Sequence, residues 1–331
     1  MNPSIFFIFT RNLILKSIRK KFPYPSIGIG GISMGGSGKT PLVMEIIKFF
    51  LKNKIDIALL SRGYKRKEKK LKTIFENSKV EVFEIGDEPF LIFKKFNIPI
   101  GVHKNRLLAA EEILKKKNVS VFILDDALQI KKFYFDLNIY ITDEKEILSH
   151  ERFFPVGTIR DFRHEIFSAD LIIVNRKMKE MDTYKVPFLD KRKKVYFFAN
   201  YILIGFRNLK GEVINPSRRD YVILVTGIAD PTSLKRFVAK NFILVEHLKF
   251  MDHHYYSQKD VDRILKLKER LKCDYIITTE KDLVRMPLRE DFIIYPEIKI
   301  NIEKKFYDYL SGFINKINPS QKCDDISGPH R

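Results

Sequence analysis

The chain contains no tryptophan and only two cysteines among 331 residues, and it lacks any long uninterrupted apolar run. A membrane-spanning helix needs about 18 or more apolar residues in succession, so none is expected. Cys273 and Cys323 are too few for a disulfide scaffold and too far apart for a CxxC metal site. The sequence therefore argues against a transmembrane protein, a disulfide-rich secreted domain and a structural zinc site, and it favours a reducing compartment.

Acidic residues are also scarce relative to basic ones, with 41 Asp and Glu against 61 Lys and Arg and a formal net charge of +20. The positive charge has three interpretations: binding to nucleic acid, binding to a membrane surface or phosphorylated lipid, and a lysine-rich composition without a specific partner. The densest basic run, residues 65–72, carries no aromatic side chain that could stack on bases, and no recognisable nucleic-acid-binding motif is present. Composition alone does not choose among the three.

Residues 5–22 combine apolar and basic side chains in the reverse order of a secretory signal, apolar first and basic afterwards. As a helix, this segment would place Phe6, Phe9 and Leu13 on one side and crowd basic residues near its end, which suits an anionic membrane surface. The alternative is a first helix that packs on the domain with its basic end exposed. The sequence favours neither.

Apolar runs alternate with helical patterns along the first two thirds of the chain. Hydrophobic residues make up 45% of the sequence, enough for a buried core, and its length predicts about two domains at roughly 100–200 residues each. Continuous apolar strands separated by helices indicate an α/β fold with a doubly wound, mostly parallel sheet covered on both faces. The strands are predicted at 26–32, 55–60, 98–102, 119–124, 137–142 and 170–175, and the helices at 40–52, 88–96 and 104–117.

A change in residue composition and in the strand–helix pattern divides the sequence into parts. Residues 1–183 form the predicted first domain, and residues 184–219 are short, charged segments punctuated by Pro and Gly that we interpret as a hairpin-like linker. The alternation resumes in residues 220–318, which predict a second, smaller α/β domain, and residues 319–331 are expected to be a disordered tail. Strands are predicted at 195–199 and 201–206 in the linker and at 221–226, 242–245 and 274–278 beyond it, with helices at 231–240 and 257–272.

A glycine-rich turn between the first predicted strand and helix has the pattern of a P-loop, Ser33-Met34-Gly35-Gly36-Ser37-Gly38-Lys39-Thr40. Glycines allow successive N–H groups to point at phosphate oxygens, and the helix N-terminus adds its dipole. Lys39 is expected to reach the β- and γ-phosphates, and the Thr40 hydroxyl to ligate Mg²⁺. The pattern predicts a site for a nucleoside triphosphate, although Ser33 stands where the strict motif has Gly.

Two acidic residues follow the strand predicted at 119–124. Asp125 and Asp126 lie where parallel sheets place their ligands, so they fit a Walker-B element that holds the metal. Adjacent acids can also form a turn or a helix cap. With the P-loop upstream, we favour the metal-binding interpretation.

Two further motifs could activate an acceptor. Asp87, in the loop Gly86-Asp87-Glu88-Pro89, could take a proton from a hydroxyl, but on its own a helix N-cap is the simpler interpretation. The sequence Asp252-His253-His254 suits acid–base chemistry and a structural role equally well. Two histidines without further ligands make a poor metal site.

These motifs, taken in order, resemble those of the tetraacyldisaccharide 4'-kinase family of lipid A biosynthesis. The resemblance extends over nearly the whole chain, and the P-loop of that family usually begins with Ser or Thr, as it does here at Ser33. Two positions depart from the family's pattern, since Ala127 replaces a Gly and Ile130 replaces a His, which leaves open any role of that histidine. The matching segments are 33–41, 61–64, 86–89, 125–129, 157–160, 226–228, 252–254 and 279–282.

The resemblance implies a P-loop NTPase-like kinase domain and a smaller C-terminal domain, joined by a β-hairpin linker, that close around their substrates. It implies transfer of the γ-phosphate of ATP, with Mg²⁺, to the 4'-hydroxyl of a tetraacylated glucosamine disaccharide 1-phosphate. The expected location is the cytoplasmic face of the inner membrane of a Gram-negative-type bacterium, with peripheral attachment to that anionic surface. Neither nucleic acid nor a protein partner is implied.

The resemblance also implies roles for individual residues. At the nucleotide end, residues 33–40 would bind the triphosphate, and Asp125 or Asp126, with Gln129, would belong to the metal and nucleotide site. At the acceptor end, Asp87 would be the base, paired with a histidine of the 252–254 motif.

Of the two histidines in that motif, His253 is favoured over His254 as the partner of the base. Arg62 or Arg160 would help to neutralise the charge of the transferring phosphoryl group. Both arginines lie in segments that match the family's pattern.

A different class of protein is the alternative, namely a P-loop ATPase that uses nucleotide as a switch for binding nucleic acid. Its only support is the basic charge. A non-catalytic membrane scaffold is a third hypothesis, and it leaves Asp87 and Asp125 without a purpose.

Overall fold

Helices alternate with parallel strands through most of the chain, in a computed structural model that describes residues 14, 18–32, 37–64, 66–143, 161, 163–179 and 184–317. The helices are α1 (Lys39–Lys52), α2 (Val82–Ile85), α3 (Asp87–Phe96), α4 (Arg106–Leu114), α5 (Pro187–Asp190), α6 (Thr232–Asn241), α7 (Gln258–Arg270), α8 (Glu280–Leu283) and α9 (Lys304–Ile317). Two short 3₁₀ helices occupy Ala127–Gln129 and Arg163–Ser168.

The strands belong to one large sheet, apart from a small parallel pair, β1 (Lys20–Lys21) with β7 (Phe133–Tyr134). The strands of the large sheet are β2 (Ser26–Gly30), β3 (Ile57–Ser61), β4 (Lys72–Ile74), β5 (Ile100–Val102), β6 (Val121–Leu124), β8 (Leu137–Asp143), β9 (Leu171–Asn175), β10 (Val195–Asn208), β11 (Val213–Ile214), β12 (Tyr221–Thr226), β13 (Ile243–Lys249), β14 (Tyr275–Ile277) and β15 (Ile293–Ile302).

The order across the large sheet is β13-β12-β14-β15-β10-β9-β8-β2-β6-β3-β5-β4, with β11 paired to β10. All of its pairings are parallel except β4 with β5, β10 with β15 and β10 with β11. The predicted α/β class with a mostly parallel sheet is confirmed.

The linker region differs from its prediction in one respect. The two short strands predicted at 195–199 and 201–206 are one strand, β10, which pairs parallel with β9 on one side and antiparallel with β15 on the other. Asn200 interrupts the apolar pattern, but in the sheet it lies opposite Asn301, whose side-chain amide donates to the Asn200 side-chain oxygen at 3.2 Å. Because Asn200 is paired, the strand continues through the residue at which the sequence pattern predicted a break.

Two of the hydrophobic clusters belong to different halves of the sheet. Ile46 of α1 belongs to the first cluster, and Phe306 and Leu310 of α9 are buried in it, so the last described helix returns to the P-loop half. Ile223 and Ile264 belong to a separate cluster around α7. The division of the chain at residues 183 and 219 stays a prediction.

The end of the basic N-terminal segment is not helical. Lys20 and Lys21 form β1, and Phe22 is fully buried with its ring against Phe133 and Phe135. The extended chain of β1 places the Phe22 ring in this buried position. The helix expected through residue 22 is therefore wrong at its end. Residues 33–36, 157–160 and 319–331, and most of 5–22, lie outside the described residues. Within the described ranges, no helix combines the length and apolar character needed to cross a bilayer.

Candidate active site

A cleft of ≈ 680 Å³ lies beside the carboxyl ends of the central parallel strands. The start of α1 lines it on one side, with Lys39 and Thr40, and Asp126 follows from the end of β6. His253 and Lys281 line it from the C-terminal half of the chain. The fold therefore gathers into one cavity side chains that are far apart in the sequence, at the edge where parallel sheets place their ligands.

Gly38 sits at the start of α1 with a φ of 98°, a backbone conformation that favours glycine. A Cβ at this position would overlap the side chains of Asn175 and Tyr201. The Asn175 amide donates to the Ser37 carbonyl oxygen at 3.0 Å and to the Tyr201 hydroxyl at 2.9 Å, so β9 and β10 both fix the turn. The described part of the predicted P-loop is thus held rigidly at the helix N-terminus.

Lys39 is buried beside the acidic end of β6. Its Nζ lies 3.8 Å from Asp126 Oδ1 and 3.5 Å from Ser37 Oγ. Asp126 has a φ of 53° and lines the cleft, whereas Asp125 is buried with its Oδ1 accepting the Asp126 backbone N–H at 2.9 Å. Of the two adjacent acids, Asp126 is the one that the fold turns toward the cleft.

The electrostatics at this end of the cleft suit a divalent cation. Burial raises the pKa of the Asp125 carboxyl, and the charges of Glu88 and Asp126 raise it further, against the opposing effects of Lys39 and Arg106. Among the described residues, no three acidic, histidine or cysteine side chains cluster as a ready-made metal cage. Mg²⁺ needs no such cage, because it is bound through one or two carboxylates together with substrate phosphates and water. The Thr40 hydroxyl and the Asp126 carboxylate, which line this end of the cleft, are donors that fit Mg²⁺.

Asp87 is the first residue of α3 and is only 3% exposed. Its Oδ2 lies 2.8 Å from His253 Nδ1 and 3.7 Å from Arg285 Nη1, and its Oδ1 accepts the Glu88 N–H at 3.0 Å. The helix cap is Gly86, so the Asp87 carboxylate is not the N-cap that the sequence alone favoured.

The pKa of Asp87 is lowered to about 2. Burial acts to raise this pKa, but the hydrogen bond from His253 and the charges of Lys281, His253 and Arg285 outweigh it. The carboxylate is therefore ionised at any pH at which the protein would work.

The two neighbouring histidines have different surroundings. His253 has a φ of 60°, donates its backbone N–H to the Gly227 carbonyl oxygen at 3.0 Å, and meets the Tyr64 ring edge-on at 5.3 Å between centroids. His254 turns away toward Asp260, with its Nε2 3.0 Å from Asp260 Oδ2. Only His253 reaches Asp87.

Several charged residues in or near the cleft were not assigned a role from the sequence. Lys281 pairs with Glu88 across the cleft, and its pKa is raised because Glu88 and Asp87 outweigh the opposing effect of burial. The 279–282 motif carried a signal for Lys281, which is its one basic side chain. Arg285 and Arg106, both buried near the carboxylates, carried none.

The remaining predicted residues lie around this centre or outside the described chain. Gln129 is partly buried in the 3₁₀ turn after β6, and its N–H donates to the Asp126 carbonyl oxygen at 3.3 Å. Arg62 is exposed after β3. Arg160 lies outside the described residues. The two departures from the family's pattern are apolar packing positions, since Ala127 is buried and Ile130 packs against the same cluster.

Known proteins resemble this chain in sequence and in fold. Residues 6–315 match the sequence model of the family described as tetraacyldisaccharide-1-P 4'-kinase. A tetraacyldisaccharide 4'-kinase from Flavobacterium psychrophilum is 35% identical over 317 residues, covering 91% of this chain and 90% of the relative. One from Aquifex aeolicus is 30% identical over 291 residues, covering 86% and 87%.

The crystal structure of LpxK from Aquifex aeolicus in complex with ATP superposes with a TM-score of 0.74 at 26% sequence identity, covering 95% of this chain and 96% of that one. The family match, the relatives that align over most of their length and the shared fold all indicate the same family. The chain belongs to the tetraacyldisaccharide-1-P 4'-kinase family.

Proposed function

We propose that this chain transfers the γ-phosphoryl group of ATP to the 4'-hydroxyl of a tetraacylated glucosamine disaccharide 1-phosphate. The observation that carries the proposal is the pair formed by Asp87 and His253. These residues are 166 positions apart in the chain, yet their side chains meet at 2.8 Å, and His253 lines the cleft that also holds Lys39 and Thr40. A carboxylate held by a histidine of the cleft that also contains Lys39 is suited to phosphorylating a hydroxyl group.

At the nucleotide end, we assign Lys39 and the backbone of residues 33–38 to the phosphates. The Thr40 hydroxyl and the Asp126 carboxylate would hold Mg²⁺, with Asp125 behind them and Gln129 supporting the turn. Bound Mg²⁺ would neutralise charge on the transferring phosphoryl group. Because Lys39 is already drawn toward Asp126, the same lysine stands next to both the proposed metal site and the phosphates.

At the acceptor end, Asp87 would accept a hydrogen bond from the 4'-hydroxyl and take its proton as the new O–P bond forms and the β–γ bridging P–O bond breaks. With a pKa of about 2, Asp87 is a weak base, so the proton moves late, when the attacking oxygen has become acidic. His253 orients the carboxylate. General-base help of this kind contributes about 10²- to 10⁴-fold, and the rest comes from positioning and charge neutralisation.

Two arginines complete the proposed phosphate environment. Arg62 is exposed, and besides the larger effect of burial its charge acts to lower the pKa of Arg106. Arg62 would therefore meet anionic groups at the rim rather than deep in the cleft. Arg160 is assigned to the same role by its motif alone. Neither assignment carries the proposed function.

We further propose that the protein works peripherally at an anionic membrane surface. Its acceptor is a lipid, and the net charge of +20 would attract it to negatively charged head groups. The exposed Lys20 and Lys21 of β1 contribute to that charge.

Transfer of radiolabel from γ-labelled ATP to the disaccharide 1-phosphate in detergent micelles tests the proposed function. We expect label in the lipid product with the wild type and none with Lys39→Met. Absence of transfer by the purified protein, where a family member run in parallel succeeds, would contradict the proposal. Acceptor-independent ATP hydrolysis would instead indicate an ATPase.

A further inference from the structure

Arg285 follows α8 and is 5% exposed, with its guanidinium beside Asp87. A buried guanidinium needs partners on every side, because each unpaired N–H is costly away from water. The hydrogen bonds made by each nitrogen of the Arg285 guanidinium therefore indicate what the side chain does.

One side of the guanidinium is firmly braced. Its Nη2 donates to Asp282 Oδ1 at 2.7 Å and to the Gly227 carbonyl oxygen at 3.2 Å, and its Nε donates to the Lys281 carbonyl oxygen at 3.1 Å. Asp282 is itself fully buried and also accepts from the Gly227 N–H and the Tyr256 hydroxyl. The Arg285 side chain is consequently locked in one orientation.

The other side is left open toward Asp87. Arg285 Nη1 is buried and makes no hydrogen bond in the described structure, and it lies 3.7 Å from Asp87 Oδ2. That separation is too long for a hydrogen bond and short enough for strong charge attraction in a buried site. His253 Nδ1 lies 2.8 Å from the same oxygen, so the imidazole and the guanidinium both approach Oδ2.

Convergence on Oδ2 leaves the other carboxylate oxygen for the substrate. Oδ1 accepts a single backbone N–H, from Glu88, and a carboxylate oxygen can accept a second bond. We propose that Arg285, braced by Asp282, is a positioning residue that turns Asp87 so that Oδ1 faces the acceptor hydroxyl. This inference rests on the proposed function, in which Asp87 is the base.

A purely structural Arg285 is the competing explanation, because its braced side alone would tie α8 to the loop of Gly227. The two explanations differ in what an added guanidinium ion should do. A small cation that enters the space left by a truncated side chain can replace the missing charge beside Asp87, but it is not attached to the backbone of residue 285 and so cannot link that backbone to the Gly227 loop.

The test measures label transfer by Arg285→Ala with and without millimolar guanidinium, and with urea at the same concentration as an uncharged mimic. We expect kcat to fall by about 10²-fold with KM for both substrates nearly unchanged, and guanidinium but not urea to recover part of it. Arg285→Lys should be intermediate. Arg289→Ala is the matched control, since Arg289 is exposed and bonds to backbone carbonyl oxygens nearby, and it should behave as wild type.

A kcat of Arg285→Ala within twofold of wild type, or equal recovery by guanidinium and urea, would overturn the inference. If Arg285→Ala does not fold, Arg285→Lys decides, with a wild-type kcat contradicting the inference and a reduced kcat at unchanged melting temperature supporting it. An inactive wild type would overturn the proposed function and this inference together, whereas an active wild type with an unaffected variant would overturn only the inference.

Discussion

At the Asp87 carboxylate, burial and charge act in opposite directions, and charge prevails. The neighbours that lower its pKa, His253, Lys281 and Arg285, all come from the C-terminal part of the chain, whereas Asp87 belongs to the N-terminal part. Forming the site and joining the two parts are therefore coupled, since an ionised buried carboxylate without these partners would be costly.

This coupling predicts acid sensitivity. The pKa of Asp87 falls from 3.8 to about 2 on folding, so its contribution to stability is present above pH 4 and is lost as the pH drops toward 2. Loss of about 1 kcal/mol by roughly pH 3 is expected from this group. Denaturant unfolding of wild type and Asp87→Asn between about pH 5 and pH 3 measures it. The variant should lose less stability over that range, and an identical pH dependence would contradict the assignment.

Lys39 provides a second prediction at the scale of one residue. Lys39→Met removes the cation next to Asp126 and the proposed phosphates, so kcat should fall by at least about 10²-fold while the melting temperature changes little. Lys52→Met is the control, because Lys52 is exposed at the other end of the same helix. Steady-state label transfer with both variants checks this. Equal activity of the two would remove Lys39 from the proposed mechanism.

The sequence identified Asp87, Lys39 and the acidic pair through short local motifs. It could not show that Asp126 rather than Asp125 faces the cleft, because that depends on the left-handed backbone at Asp126. Nor could it find Arg285, whose importance arises from a contact with a residue far away in the chain. Local patterns reveal local geometry, and long-range neighbours appear only in the folded molecule.

Among the elements, α1 depends on a single glycine at its start. Gly38 needs a positive φ and has no room for a Cβ, whereas a Cβ added at Gly312 in α9 would have nothing within 4 Å. Glycine inside a helix costs about 0.5–1 kcal/mol relative to alanine where space is free. Substitution by alanine should therefore destabilise the protein at Gly38 and stabilise it at Gly312.

Gly38→Ala should lose phosphotransfer activity and stability, because the new methyl group displaces Asn175 and Tyr201 from the turn. Gly312→Ala should be as active as wild type and more stable by up to about 1 kcal/mol. Thermal unfolding together with label transfer measures both. A Gly38→Ala protein with wild-type activity would show that the turn tolerates a different shape.

Strand β15 shows where sequence patterns fail at the scale of elements. It has no counterpart in the predicted strands, and β10 was predicted as two pieces, yet the two strands form an extended antiparallel pair beside the cleft. Asn200, the polar residue that divided the prediction for β10, lies opposite Asn301 near the end of β15, and β15 itself carries Pro296 and charged residues that break its apolar pattern. Cross-strand pairing of polar residues is visible only once both strands are known.

For the whole molecule, the order of the motifs identified the family, and the single sheet explains how they meet. Motifs from both ends of the chain converge because β10 and β15 connect the P-loop half of the sheet to the half that carries His253. The net charge had several interpretations, and the proposed lipid acceptor now favours an anionic membrane.

Vesicle binding tests this interpretation of the charge. The protein should cosediment with vesicles that contain phosphatidylglycerol, bind neutral phosphatidylcholine vesicles weakly, and dissociate as salt is raised. Short duplex DNA at physiological salt is the comparison for the alternative nucleic-acid switch. Tighter binding to DNA than to anionic vesicles would favour that alternative.

The position of the transferred phosphate tests the central claim most directly. Purified protein is incubated with ATP, Mg²⁺ and either the tetraacyl disaccharide 1-phosphate or an analogue with hydrogen in place of the 4'-hydroxyl, and products are resolved by mass spectrometry and ³¹P NMR. We predict one added phosphate, on the 4'-oxygen, with the natural acceptor and none with the analogue. Phosphate on another oxygen, or an analogue phosphorylated as readily as the natural acceptor, would contradict the account.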